Sequence, residues 1–164
     1  MSVKRIDPQA GQESVWDYPR PPRLESTLKH LIVVFGDMII TDTVHAYRVL
    51  ETSHPPVYYL PPGDIQMKYL RPTARASFCE WKGAASFFSV ETGDRRAVDA
   101  AWSYSNPTVN FAAIKDYVAF YPAVMDACYV DGEVVTPQPG GFYGGWITRD
   151  IVGPFKGAEG TWGW

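Results

Sequence analysis

Residues 30–43, His30-Leu31-Ile32-Val33-Val34-Phe35-Gly36-Asp37-Met38-Ile39-Ile40-Thr41-Asp42-Thr43, decide the fold class. Two runs rich in strand-forming residues flank one Gly-Asp pair, the pattern of two strands joined by a two-residue turn. The same pattern recurs at 123–135, AVMDACYV-Asp131-Gly132-EVV, where an Asp-Gly pair separates two apolar runs and gives the strongest hairpin signal in the chain.

The segments around these hairpins also read as short strands. HAYRVLETS, residues 45–53, alternates so that His45, Tyr47, Val49 and Glu51 share one side and Ala46, Arg48, Leu50 and Thr52 the other. It ends at Pro55-Pro56, and VYYL follows. Pro61-Pro62-Gly63-Asp64 starts one helical turn, expected to run to Gln66 before MKYL resumes extended structure. ARASFCEWKGAASFFSV, 74–90, gives two strands with a break at Gly83. AVDAAWSYS, 97–105, alternates again, with Val98, Ala100, Trp102 and Tyr104 on one face and Asp99, Ala101 and Ser103 on the other. A short helix is expected from about Pro107 to Lys115, followed by a strand at YVAFY.

The ends of the chain differ in character. Residues 1–12 are polar and expected to fray, leaving 13–164 as a single domain. WDYPRPPRLE, 16–25, is held extended by its prolines and reads as an arm over the body, anchored by Trp16 and Tyr18. The last stretch, PQPGGFYGGWITRDIVGPFKGAEGTWGW, carries three Trp and reads as an ordered tail packed by its aromatics.

Composition agrees with this and narrows the function. The 164 residues are 46% hydrophobic and 20% charged, ordinary for a soluble globular protein. With 14 Gly, 14 Pro, 6 Trp and 10 Tyr, the chain suits many short strands separated by tight turns. The net charge of -3 comes from 15 basic and 18 acidic residues with no basic stripe, so nucleic acid is not an expected partner. No run approaches the ~20 apolar residues of a membrane span, and the N-terminus lacks the apolar core of a signal peptide. The expected location is the cytoplasm, with no membrane partner.

Cys79 and Cys128 stand far apart without CxxC companions, and the three His are scattered, so no metal or other cofactor is expected. Two half-buried free thiols are the plain reading. Cys79 is nonetheless the candidate catalytic residue, as nucleophile or redox centre. On a strand, Cys79 and Trp81 would point one way and Glu80 and Lys82 the other, which separates the thiol from the amine that could activate it. The ligand-binding candidates are Arg48, Glu51 and Lys82 as polar anchors and Trp81, Trp102, Tyr104 and Tyr121 as walls, because a concave apolar site with a few convergent charged groups is the usual form of a small-molecule site. The plain alternative is an ion pair of Glu51 with Lys82 or Arg48 on a solvated face. GxSxG, GxGxxG and GxxxxGK[ST] are absent.

Taken together, WDYPRPP, DTVHAYRVLETSHPPVYYLPP, SFCEWKGAASFF, AAWSYSNP and DYVAFYPAVMDACYVDGEVVTPQPGGFYGGWIT resemble the bacterial domain of unknown function family 427, carried in some catalogues under a nucleotidyltransferase-like name. The resemblance runs from about Glu13 to the end. It implies a mainly β fold with one or two short helices: a β-tent, two antiparallel sheets splayed at a large angle, similar to the ligand-binding domain of cereblon and to methionine sulfoxide reductase B. Many relatives of that fold hold zinc through two CxxC pairs, which this chain lacks. The carboxylate pair after a Gly-Ser motif that nucleotidyl transfer needs is missing too. By analogy of fold alone, Trp81 and Trp102 would form the wall of an aromatic cage. The expectation is a small-molecule binder with its cleft between two sheets. An enzyme using Cys79, or an interaction module that works through the arm or tail and forms oligomers, are the alternatives.

Overall fold

The computed structural model describes residues 3–164. The strands in chain order are β1 (Glu13–Ser14), β2 (Arg23–Ser26), β3 (Leu31–Phe35), β4 (Met38–Thr43), β5 (Tyr47–Leu50), β6 (Val57–Tyr59), β7 (Leu70–Cys79) and β8 (Gly83–Thr92). They continue with β9 (Arg95–Ser103), β10 (Val118–Phe120), β11 (Ala127–Val130), β12 (Glu133–Val134), β13 (Thr136–Pro137), β14 (Trp146–Ile147) and β15 (Ile151–Val152). The helical segments are 3-10 turns. The protein is therefore mainly β, built from several sheets, and the described residues form no closed barrel.

Two four-stranded antiparallel sheets, ordered β12-β11-β3-β4 and β10-β9-β8-β7, form the body, and a three-stranded sheet β2-β5-β6 adds to the second. The addition is made by a bridge between Leu60 and Val118, each N–H donating to the other's carbonyl at 2.9 Å. Two small pairings, β13-β14 and the parallel β1-β15, fasten the tail and the start of the chain.

Both expected hairpins form. Phe35 pairs with Met38 and Val130 with Glu133, so each turn has two residues. Gly36 (φ 58°) and Asp37 (φ 63°) are both left-handed, as are Asp131 (φ 48°) and Gly132 (φ 82°), which is the geometry whose twist matches flanking strands. At Gly36 no side chain fits, because a Cβ there would lie 1.8 Å from Thr92 Oγ1.

The sheet that contains β6, β10, β9 and β8 is buried on both faces. Leu60, Val90, Ala101, Val118 and Phe120 pack toward Leu31, Val33 and Ile40 of the opposing sheet. Tyr59, Ala85, Phe87, Trp102 and Ala119 form a second cluster with Val49, Phe111 and Ile114. Neighbouring residues such as Ala101 and Trp102 are thus both buried, at 0% and 8% exposure.

This changes the reading of AVDAAWSYS. Val98 is 63% exposed while Ala100 is fully buried, because a bulge interrupts the alternation between them. Asp99 sits there at φ 51°, its N–H donating to Ser89 Oγ (3.1 Å) and its Oδ1 accepting from Thr73 Oγ1 (2.7 Å). Side-chain bonds thereby replace ladder bonds across β7, β8 and β9.

Cys79-Gly83 also differs from expectation. Cys79 pairs with Gly83, so Glu80, Trp81 and Lys82 form a hairpin turn and do not alternate as a strand. Gly83 at φ 110° makes the reversal, and Thr108 holds it by donating its N–H to Lys82 O (3.0 Å) and its hydroxyl to Trp81 O (2.6 Å). On this turn all three residues border one cavity.

The helix expected at 107–115 is a kinked 3-10 segment, Val109–Ile114, that buries Phe111 and Ile114. Their spacing of three is the 3-10 repeat, and six residues are too few for an α-helix to recover its nucleation cost. Met67–Tyr69 is likewise a 3-10 turn, with extended structure resuming only at Leu70. Of residues 1–12, expected to fray, 1–2 lie outside the described residues; farther along, Ile6 N–H donates to Gly153 O and Gln12 Nε2 to Arg149 O. The arm is anchored by buried Tyr18, whose hydroxyl donates to Glu13, and by Trp16, whose indole N–H donates to Pro154 O at 2.9 Å. In the tail, Trp146 is 1% exposed and donates to Phe120 O.

Candidate functional site

β5 and β6 on one side and β7, β8 and β9 on the other enclose a cavity of about 580 Å³. The two sheets that join at Leu60 and Val118 supply its walls, and the loop at 142–144 supplies its rim. The size falls within the ~300–1,000 Å³ typical of small-molecule sites.

Aromatic rings line the floor. Trp102, on β9 just past the bulge, lies 4.6 Å from Tyr121 and 6.4 Å from both Tyr59 and Phe87, centroid to centroid. Its indole N–H donates to Tyr59 Oη at 3.3 Å. Burial pushes the Tyr59 phenol far above its ordinary range, so it stays neutral as a hydrogen-bond partner. Tyr104 is buried beside it and shifted upward for the same reason. Gly144 is required against this floor, because a Cβ there would meet the Trp102 ring at 2.3 Å.

One polar wall is built on Gln138. Its Oε1 accepts the Gly145 N–H (3.0 Å), so its Nε2 faces Lys156 O (2.8 Å) and His54 Nδ1 (3.1 Å). An amide nitrogen is only a donor, hence Nδ1 is the acceptor and the proton of His54 is on Nε2. That N–H points to Glu51, 3.6 Å away. Burial lowers the His54 pKa to about 4 despite the nearby Glu51 carboxylate, so the imidazole is neutral at neutral pH. Glu51 is in turn paired with Arg20 at 3.2 Å.

The cations of the site rest on rings. Arg75 stands 4.3 Å from the Phe87 centroid, Lys82 5.8 Å from Phe111, and Lys156 5.7 Å from Tyr143.

Of the residues singled out in the sequence, Glu51, Cys79, Trp81, Lys82, Trp102, Tyr104 and Tyr121 all line the cavity. Arg48 does not. It lies on the other face of β5, as strand alternation from Glu51 would have it, and is held by Glu13 at 2.5 Å and Glu25 at 2.7 Å. Neither Lys82 nor Arg48 is the ion-pair partner of Glu51. Cys79 is half-buried at the end of β7, whereas Cys128 is 2% exposed in the main core and burial raises its pKa strongly.

Sequence reading missed His54, Tyr59, Arg75, Tyr143 and Lys156 as cavity residues. Arg75 had a signal, since Arg75, Ser77 and Cys79 recur at the strand period. His54 and Lys156 had none, as each reaches the cavity from a loop.

Among the described residues no helix is long and apolar enough to cross a membrane, and no group of three or more His, Cys, Asp or Glu converges as a metal site would require. The family model described as a domain of unknown function (DUF427) matches residues 23–131, two thirds of the chain. No curated protein matches the chain.

Proposed function

The chain belongs to the DUF427 family, and for it we propose a binding function: a small organic molecule is held in the aromatic cavity between β5-β6 and β7-β9. The observation that carries this reading is the floor of Tyr59, Phe87, Trp102 and Tyr121 set against fixed polar groups at His54 and Glu51. A domain that needed only stability would fill such a space, since each ring left facing a void forgoes packing contacts. Apolar walls with few, oriented polar groups are what bind and orient a small ligand.

The test compares the native protein with Ser77→Trp, which puts an indole into the cavity from an exposed position on β7. Native mass spectrometry and thermal shifts against a small-molecule panel should yield compounds that bind the native protein and not the variant. A panel that shifts both proteins equally would overturn the reading.

A second reading is favoured by Cys79, whose side chain lines the same cavity. As an enzyme, the protein would use that thiol as nucleophile or redox centre. Cys79→Ser would then abolish turnover of any compound found to bind while leaving binding intact; unaltered turnover would remove the reading.

A further inference from the structure

We propose that the occupant of the cavity is an organic anion, its ring or hydrocarbon body on the aromatic floor and its acidic group received by Arg75, Lys82 and Lys156. The inference rests on the binding reading above and adds the ligand's charge.

The protein as a whole carries a net charge of -3, yet three cations line this one cavity. None of the three has a carboxylate within ion-pair distance among the described residues. Elsewhere the arginines facing acids are paired: Arg48 with Glu13 and Glu25, Arg95 with Asp126, Arg149 with Glu133. At the cavity the cations are steadied by the faces of Phe87, Phe111 and Tyr143. Cation–π contacts position a charge without neutralising it.

The acids of the wall do not cancel them. Glu51 is occupied by Arg20 at 3.2 Å and faces the His54 N–H. Glu80 alone remains, on an exposed turn. Three uncompensated cations against one free carboxylate leave the mouth positive, and low-dielectric aromatic walls strengthen the attraction it exerts on an anion.

Two probes with nearly the same aromatic body test the idea: 1-anilinonaphthalene-8-sulfonate, which is anionic, and N-phenyl-1-naphthylamine, which lacks the sulfonate. Fluorescence titration of the native protein should give affinity for the sulfonate at least about tenfold above the neutral probe, an advantage lost at high salt. Arg75→Gln/Lys82→Gln/Lys156→Gln should bring the two probes to equal affinity. Arg75→Lys on its own should keep most of the difference, and Ser77→Trp should abolish both signals. Equal affinities in the native protein, with both signals lost in Ser77→Trp, would overturn the anion inference and leave the binding reading standing. Binding that survives Ser77→Trp, or no binding of either probe, would overturn both.

Discussion

Gln138 Nε2 donates to His54 Nδ1 at 3.1 Å, and because the same amide is oriented by the Gly145 N–H, this bond fixes the imidazole as its Nε2–H tautomer. A residue 84 positions away thus decides which nitrogen the cavity sees. Protonating His54 would put a proton on Nδ1 against an amide N–H, in a site that burial already makes hostile to charge.

The consequence is a pH dependence of stability. His54 titrates at about 4 in the folded chain, against ~6.5 when unfolded. Between those values the unfolded state binds more protons, so stability falls as pH drops from about 6.5 toward 4 and the loss levels off below. The total is on the order of 3 kcal/mol. Urea unfolding across this range should show a steeper slope in the native protein than in His54→Asn, which keeps an acceptor near Nδ1; the slope left in the variant belongs to carboxyls such as Glu13 and Asp150, whose pKa values the fold lowers.

Arg48 is a structural cation. Burial disfavours its charge, but hydrogen bonds from the guanidinium to Glu13 and Glu25 more than offset that. Arg48→Ala leaves two acids facing each other and should destabilise by about 2–3 kcal/mol, below the value for a fully buried pair because both carboxylates are partly exposed. Probe affinity in the cavity should not change. An affinity loss comparable to that of Lys82→Gln would return Arg48 to the site.

Gly36 and Thr92 are coupled through a close approach. Gly36→Ala meets both a left-handed φ and the Thr92 hydroxyl, and should cost about 2–4 kcal/mol. Thr92 Oγ1 is buried without a hydrogen-bond partner among the described residues, so Thr92→Ala loses little polar bonding and opens space for the new methyl. Denaturant melts of the two single variants and the double variant should show the double to be more stable than the sum predicts. Strict additivity would mean that backbone strain alone sets the cost.

The thiols should separate cleanly in reactivity. Iodoacetamide on the native protein is expected to modify Cys79, half-buried at the cavity wall, and to spare Cys128 at 2% exposure. Peptide mapping after timed alkylation reads this directly. A compound bound in the cavity should slow the reaction at Cys79, and equal labelling of both thiols would contradict the burial described above.

The architecture was legible wherever the determining interactions are local. Gly36-Asp37 and Asp131-Gly132 announce their turns because left-handed backbone needs such residues, whatever the rest of the chain does. Alternation from Glu51 already puts Arg48 on the opposite face of its strand, where Glu13 and Glu25 hold it away from the cavity. It failed at Ala97–Tyr104, where a bulge at Asp99 shifts the phase and a sheet covered on both faces removes the apolar/polar contrast that alternation depends on.

The sequence by itself determined the class of fold, its hairpins and the aromatic residues available for a site, since propensity and turn chemistry act over a few residues. Only tertiary structure decided that Glu51, His54, Cys79, Trp102 and Lys156 share one cavity, because they are brought together by the junction of two sheets at Leu60 and Val118 and by the Gln138 amide. Long-range pairing of that kind depends on the packing of whole sheets, which no local window of residues encodes.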